Sequence, residues 1–131
     1  MANLQKRDTI LQFEQAMLDC TDQIDLPVQH HFANSVYGRE LFIPKGVVLV
    51  GKLHRFPCIN VIAQGSVAVV TEHGREVYTA PDVFVSPAGT KRVIYALKDS
   101  TWVTFHPCEN TDLKDIEHNL IAESYTALEQ L

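Results

Sequence analysis

Residues 46–65 read GVVLVGKLHRFPCINVIAQG, and this stretch decides the fold class. It holds two apolar runs of strand length, Val47–Val50 and Cys58–Ala63, bounded by turn residues. The same pattern continues on both sides and predicts strands at Val36–Ile43, Val47–His54, Cys58–Ala63, Ser66–Thr71, Arg75–Ala80, Asp82–Ser86, Lys91–Leu97 and Thr101–His106. Short strands at this spacing favour a β-sandwich or β-barrel over alternating β-α units.

The turn residues predict how neighbouring strands are joined. Gln64-Gly65 and Glu72-His73-Gly74 are each expected to close a tight hairpin, because glycine tolerates the positive φ of such turns. Lys98-Asp99 is expected to close the last hairpin. A three-residue loop there would set Arg92 directly opposite His106, whereas a two-residue turn would displace them by one position.

Helical spacing of apolar residues frames the β region at both ends. In the N-terminal segment, residues 1–30, Thr9 and Gln12 have capping-box spacing. His30 and His31 precede the first predicted strand and are assigned as loop or interface residues. The apolar positions of the two helices are Ile10, Phe13, Met17 and Cys20, and then Leu113, Ile116, Leu120, Ile121, Tyr125 and Leu128. The sequence therefore predicts one domain over residues 1–131, with a barrel at 36–107 and a C-terminal helix at 110–131.

Composition excludes several classes of protein. The chain has 131 residues, 46% of them hydrophobic, with a formal charge of −5. An acidic chain without a basic stripe is a poor nucleic-acid binder, and the apolar runs are too short for a membrane span. Three widely spaced cysteines do not form a disulfide framework, and residues 1–8 lack the apolar core of a signal peptide. We expect a cytoplasmic protein.

The strand region resembles the cupin superfamily. Gly46, His54 and Gly65 lie in the order and spacing of the first cupin motif, and Pro87-Ala88-Gly89 falls on the second. Three of the four usual metal-ligand positions are changed, and they hold Lys52, Cys58 and Arg92. The resemblance implies a mainly β fold, the cupin-like double-stranded β-helix or jelly-roll barrel, flanked by an N-terminal and a C-terminal helix.

A narrower resemblance, to small cupin-like proteins of tailed bacteriophages, covers most of the chain. It is carried by Tyr37-Gly38-Arg39-Glu40, Gly51-Lys52-Leu53-His54, Asn60, Ser86–Arg92, Trp102–His106 and Glu109–Leu113. Members of that group share His54 and the histidine after the tryptophan strand. The resemblance implies a phage-encoded protein located in the host cytoplasm or associated with the virion.

Three side chains are candidate metal ligands: His54, Cys58 and His106. His54 and Cys58, four residues apart, share the barrel interior if the intervening turn keeps the strand phase. Imidazole and thiolate suit a divalent transition metal such as iron, zinc, manganese or nickel, and three protein ligands leave a position open. The alternatives are a hydrogen-bonded histidine at 54, a buried apolar cysteine at 58 and a strand-end histidine at 106.

Other side chains point to ligand binding without a metal. Arg92 and Lys52 are expected to bind a small anionic ligand, since a guanidinium pairs with carboxylate or phosphate through two hydrogen bonds. Asn60 and Trp102 are expected at the same pocket, with core packing as the alternative for Trp102. Glu40 is a candidate general acid or base if it points inward, and otherwise a surface ion-pair residue.

Three functions remain open on this basis. The first is a binding protein with a degenerate metal or small-ligand pocket and little catalysis. The second is a metal-dependent cupin enzyme of the oxygenase or isomerase type, and the third is a virion-associated or host-interaction module. A homodimer or higher homo-oligomer is expected, because open double sheets expose strand edges that a second copy covers.

Overall fold

The computed structural model describes residues 4–19, 25–109 and 112–122. The elements are α1 (Leu4–Leu18), β1 (Val28–Ala33), β2 (Val36–Ile43), β3 (Val48–Val50), β4 (Leu53–His54), β5 (Cys58–Gln64), β6 (Ser66–Thr71), β7 (Gly74–Thr79), β8 (Asp82–Ser86), β9 (Val93–Ala96), β10 (Ser100–Pro107), α2 (Leu113–Leu120) and β11 (Ile121–Ala122). The predicted mainly β class, with two flanking helices, is confirmed.

Two antiparallel sheets face each other and form a jelly roll. One sheet has the strand order β1-β2-β10-β5-β8 and the other has β3-β9-β6-β7, while β4 and β11 form a separate pair. Most consecutive strands lie in different sheets, so the chain crosses repeatedly from one layer to the other. The two inner faces therefore enclose one interior.

Strand alternation sorts this interior into an apolar part and a polar part. Along β10, every second residue from Ser100 is buried, and the inward side chains run through Trp102 and Thr104 to His106. Ile43, Ile62 and Val67 are fully buried between the sheets and form the apolar core with their neighbours. Beyond Trp102 the inward positions become polar, which leaves that part of the barrel available for a site.

Two of the predicted hairpins are wrong. Gly65 lies between β5 and β6, which belong to different sheets, and residues 97–99 likewise connect β9 to β10 across the layers. Gly65 has φ +87°, and a side chain there would collide with the carbonyl of Asp99. Turn chemistry is the same for a hairpin and for a corner between sheets, so it does not reveal which strands pair. The hairpin at His73 is confirmed, with Thr71 opposite Gly74.

The N-terminal segment differs from the prediction. Helix α1 already begins at Leu4, so Thr9 lies inside it and cannot cap its start. Residues 28–30 of the predicted N-terminal segment belong to β1 (Val28–Ala33), which pairs along β2. Ion pairs of 2.9 Å hold α1 on the barrel, Arg7 with Glu72 and Glu14 with Lys91. Cys20 lies outside the described residues.

The C-terminal helix is shorter than predicted and covers one end of the barrel. Asp112 caps α2 by accepting hydrogen bonds from two backbone amides of the first turn. The helix ends at Leu120, and the chain continues as β11, where Ile121 pairs with His54 on β4. Ile116 and Leu120 are buried against Tyr37. Tyr125 and Leu128 lie outside the described residues.

No helix in the described part of the chain combines the length and hydropathy of a membrane span.

Candidate metal centre and ligand cavity

A cavity of about 510 Å³ opens between the two sheets at the end that α2 covers. Its wall carries both apolar and polar side chains. The lining residues are Asp25, Leu26, Val28, His30, Tyr37, Arg39, Leu41, Leu49, Val50, Gly51, Lys52, His54, Arg92, Ile94, Trp102, Thr104, His106, Leu113, Ile116, Glu117, Leu120 and Ile121. This volume is within the range of small-molecule sites in proteins.

The three predicted metal ligands lie next to one another, and two of them, His54 and His106, line this cavity. Cys58 Sγ lies 3.5 Å from His54 Nδ1, and the rings of His54 and His106 meet edge to face with centroids 5.1 Å apart. One donor atom from each residue lies within 4.8 Å of the other two. The triad combines the end of β4, the start of β5 and the inward face of β10. Its members therefore come together only in the folded barrel.

Backbone hydrogen bonds fix the strand that carries His54. Gly89 N–H donates to the His54 carbonyl at 2.9 Å, and Arg55 N–H donates to the Leu120 carbonyl at 2.7 Å. The turn at residues 55–57 keeps phase, so the spacing argument that placed His54 and Cys58 together is confirmed. His106 reaches them by a different route from the one predicted. It does not face Arg92 across a hairpin, because β9 and β10 lie in different sheets.

Burial keeps both imidazoles neutral at physiological pH. The pKa of His54 falls from 6.5 to about 3, first because of burial and then because of the charges of His106, Arg92 and Arg39. The pKa of His106 falls to about 4, again first through burial and then through Arg39 and Arg92. A neutral imidazole carries the lone pair that binds a metal.

The donor set fits a divalent transition metal with three protein ligands. Two imidazole nitrogens and one sulfur are the ligands that zinc and iron accept, and tetrahedral zinc places such donors roughly 3.3–3.8 Å apart. Spacings of up to 4.8 Å require only a small inward movement of the side chains. The charges of Arg39 and Arg92 oppose a dication, and a metal-bound Cys58 thiolate offsets one of them.

Arg92 lies in the cavity wall with only 7% of its surface exposed. It donates a hydrogen bond to the Ser86 hydroxyl, and its guanidinium lies over the Trp102 ring, 5.4 Å from the centroid. Burial lowers its pKa, and the neighbouring Cys58 raises it in part. In the described ranges no carboxylate forms an ion pair with Arg92. A buried cation of this kind is costly unless something neutralises it.

Asn60 supports the cavity wall instead of lining it, which corrects its assignment as a ligand-binding residue. Its side chain is fully buried, and both ends of the amide are used internally. Nδ2 donates to the Ser86 hydroxyl at 2.8 Å, while Oδ1 accepts from Trp102 Nε1 at 2.9 Å and from Thr104 at 3.3 Å. Ser86 thus joins Asn60 to Arg92, and the network fixes Trp102, which does line the cavity as predicted.

The mouth of the cavity carries a surface ion pair. Lys52 donates to the Glu117 carboxylate of α2, and the lysine side chain remains 63% exposed. The pKa of Glu117 is lowered first by this hydrogen bond, with a smaller contribution from Arg39. Lys52 therefore lines the cavity as predicted, but its charge is already compensated. This geometry makes it a weaker candidate for an anion site than Arg92.

Glu40 lies on the opposite face of β2 from the cavity, so the condition for a catalytic role is not met. Tyr37 and Leu41 are buried inward, and strand alternation then turns residue 40 outward. The Glu40 carboxylate lies 3.1 Å from His31 Nε2 on β1. The alternative, a surface ion-pair residue, describes its position.

Sequence reasoning assigned no site role to His30 or Arg39, and it offered Tyr37 only as pocket lining or core packing, yet all of them line the cavity. His30 Nδ1 shares a hydrogen bond with the Tyr37 hydroxyl at 2.7 Å, and Tyr37 stacks against His106 with ring centroids 6.1 Å apart. His30 and His31 lie on β1, so their assignment to a loop was wrong, while the alternative of an interface stays a prediction. Strand alternation on β2 was the available signal for Arg39, since it places Tyr37, Arg39 and Leu41 on one face.

Comparison with known proteins agrees with this architecture. No family model matches the sequence, and no curated protein matches it. A cupin superfamily protein from Desulfitobacterium hafniense superposes with a TM-score of 0.55 at 12% identity, over 72% of this chain and 88% of that one. The fold is that of a cupin. An RmlC-like cupin with a double-stranded β-helix from Methanocaldococcus jannaschii superposes with a TM-score of 0.54 at 14% identity, over 69% of this chain and 86% of that one. KdgF from Halomonas sp. superposes with a TM-score of 0.53 at 20% identity, over 67% of this chain and 90% of that one.

The structure shows where the side chains at the cupin motif positions of this chain lie. The position of the second-motif histidine holds Arg92, which is buried in the cavity wall, and His106 on β10 supplies an imidazole instead. The position of the first histidine holds Lys52 at the mouth. The predicted cupin fold is confirmed, while the narrower resemblance to phage proteins stays a prediction. Because one fold hosts many activities, function has to be argued from the site.

Proposed function

We propose that this cupin binds a small anionic molecule in its cavity, beside one divalent transition metal held by His54, Cys58 and His106. The observation that carries the proposal is the convergence of three donor atoms within 4.8 Å of one another at a cavity of about 510 Å³. Iron, zinc, manganese and nickel are the candidate metals. A bound metal would act as a Lewis acid toward an oxygen of the ligand.

The charges around the site favour binding over turnover. Arg39 and Arg92 both lower the pKa of His54 and of His106, so both guanidiniums act on the same pair of rings. These charges weaken the affinity for a dication and attract an anion. The outward position of Glu40 also leaves the cavity without the carboxylate that was expected to exchange protons.

Elemental analysis of protein purified without a histidine tag tests the metal site. We expect about one transition-metal ion per chain, lost in His54→Ala and retained in His73→Ala, an exposed histidine of the β6–β7 turn. Equal metal content in the two variants would refute the assignment of His54. Metal absent from every sample, even after reconstitution, would refute the metal part of the proposal.

A second candidate function is metal-dependent catalysis of the oxygenase or isomerase type. One observation favours it: the Tyr37 hydroxyl, hydrogen-bonded to His30, lies in the cavity beside His106. Burial raises the pKa of Tyr37, so the hydroxyl is protonated at neutral pH and can donate a proton. Turnover by metal-loaded protein that disappears in Tyr37→Phe, with metal content unchanged, would support this function. Turnover unaffected by the substitution would exclude that role for Tyr37.

We further propose a homodimer formed through the outer face of β5 and β8. Ile59 on β5 lies opposite Val85 on β8, and Ile59, Val83 and Val85 are 49–67% exposed. Strand β8 is also at the edge of its sheet. An apolar face beside an open strand edge is the surface that a second copy covers most readily.

The proposed origin and location rest on the phage resemblance. They are a phage-encoded protein in the host cytoplasm, or a module on the virion that contacts a host molecule. Mass spectrometry of purified virions tests the second location directly, because a virion component would be recovered in fixed ratio to the capsid protein.

A further inference from the structure

We infer that the ligand of this cavity is a small organic carboxylate, with its carboxylate between Arg39 and Arg92 and its apolar body against Leu49, Ile94 and Trp102. The inference rests on the proposed function, because it names the class of molecule that the same cavity would bind. It does not depend on the metal, so the two can be tested separately.

Arg92 carries a buried charge without an ion-pair partner among the described residues. The residue is 7% exposed, and its contacts are the Ser86 hydroxyl, the Cys58 sulfur and the Trp102 ring. None of these is a carboxylate. A guanidinium has five N–H donors in a planar fork, so donors remain after the bond to Ser86. A buried cation with spare donors on a cavity wall is suited to a ligand that brings the counter-charge.

Arg39 faces the same cavity from β2. Its side chain is exposed, and within residues 4–19, 25–109 and 112–122 it forms no ion pair or hydrogen bond. Lys52, by contrast, is paired with Glu117. Among the described residues, Arg39 and Arg92 are therefore the two cavity-lining cations that form no ion pair, and Arg39 is only a minor contributor to the lowered pKa of Glu117.

One part of the cavity wall is apolar. Leu49 and Ile94 are cross-strand partners on β3 and β9, and Trp102 faces them from the other sheet. An inorganic anion would leave this wall in contact with water, whereas each buried methylene of an organic ligand contributes about 0.8 kcal/mol. Asp25 also lines the cavity and repels a second negative charge on the ligand. A monocarboxylate with a hydrocarbon body satisfies all three observations.

Trp102 is the single tryptophan of the chain and reports directly on this site. We would titrate metal-free and metal-loaded protein with butanoate, hexanoate and benzoate, following tryptophan emission and confirming binding by calorimetry. Hexan-1-ol serves as the neutral analogue and inorganic phosphate as the anion without an apolar body. We expect saturable binding of at least one carboxylate, about tenfold tighter than the alcohol and than phosphate.

Single substitutions of arginine test which cations bind the carboxylate. Arg39→Gln, at an exposed position that tolerates substitution, should weaken carboxylate binding about tenfold, since one charge-assisted contact is lost. Arg75→Gln, which removes an exposed arginine on β7 outside the cavity, should leave it unchanged. Arg92→Gln should abolish binding, and its circular dichroism spectrum checks that it folds.

Any of the following results would overturn the inference: no carboxylate binding below roughly 10 mM in either form, equal affinity for hexanoate and hexan-1-ol, or unchanged binding in Arg39→Gln. Phosphate binding as tightly as hexanoate would also overturn it, because the apolar wall would then have no role. Metal content measured on the same samples separates the two proposals. One metal per chain without carboxylate binding leaves the metal site and refutes only the carboxylate.

Discussion

The sulfur of Cys58 lies 3.5 Å from Nδ1 of His54, across a turn that begins on β4 and ends on β5. The two residues are four positions apart in the sequence, with three residues between them, and both side chains face the barrel interior. His106 joins them from the opposite end of the chain's β region, at a ring-to-ring distance of 5.1 Å from His54. This cluster next to a cavity is the basis of the proposed function.

Asn60→Ala should destabilise the protein by about 1–3 kcal/mol. The substitution leaves Trp102 Nε1 and the hydroxyls of Ser86 and Thr104 without their buried partner. Urea unfolding measures the loss. Gln64→Ala, at the exposed end of the same strand, is the matched control and should change stability by less than about 0.5 kcal/mol. Equal effects of the two substitutions would show that the amide network is not stabilising.

Helix α2 should be held by apolar burial more than by its ion pair. Ile116 is 4% exposed, whereas Lys52 and Glu117 are more than half exposed in their pair. Ile116→Ala should therefore cost about 2–3 kcal/mol, and Glu117→Gln less than about 1 kcal/mol. Thermal and urea unfolding of the two variants give both values. A larger effect for Glu117→Gln would reverse this assignment.

The metal-free protein should lose stability as the pH falls below 6.5. The pKa values of His54 and His106 in the folded chain are about 3 and about 4, below the ordinary value of 6.5. Between these limits the unfolded chain binds protons that the folded chain does not. The stability contributed by the neutral imidazoles is thus complete above pH 6.5 and decreases by up to roughly 1.4 kcal/mol per pH unit for each histidine.

Urea unfolding between pH 7.5 and 4.5 measures this slope. His106→Gln removes one of the two groups and should make the slope shallower, since carboxylates elsewhere contribute equally to both proteins. An identical pH dependence in the variant would contradict a neutral, buried His106.

The proposed dimer predicts an effect confined to one face of the barrel. Val83→Lys and Val85→Lys place charges on the outer face of β8 and should convert a dimer to a monomer in light scattering. Val77→Lys, at a 52% exposed valine of β7 in the other sheet, is the matched control and should leave the mass unchanged. A monomeric mass for the unmodified chain would refute the dimer.

Local sequence patterns predicted the strands well and their pairing poorly. The bounds of Val36–Ile43, Ser66–Thr71 and Asp82–Ser86 agree to the residue, because alternation and turn residues are local signals. Sheet membership depends on contacts between distant strands, and nothing in residues 58–71 or 91–106 distinguishes a hairpin from a crossing between sheets. The two incorrect hairpins follow from this.

The residues of the candidate site could be predicted from the sequence only where it was clear which side chains of a strand face inward. A spacing of four across a short turn brought His54 and Cys58 together, whereas the phase of β2 had to come from the burial of Tyr37 and Leu41. That phase directs Glu40 outward and Arg39 inward, so the condition on which Glu40 was an acid–base candidate is not met. His106 does lie beside His54, although the hairpin used to place it does not exist.

Cobalt substitution tests the central claim most directly, because a thiolate bound to cobalt(II) gives an intense charge-transfer absorption that histidine ligands alone do not give. Neither Cys58 nor Cys108 forms a disulfide in the described part of the chain, which provides a matched pair. We predict that metal-free protein titrated with cobalt(II) develops this band at about one equivalent, that Cys58→Ser abolishes it and that Cys108→Ser retains it. A band that survives in Cys58→Ser, or no band in the unmodified protein, would contradict a metal centre formed by His54, Cys58 and His106.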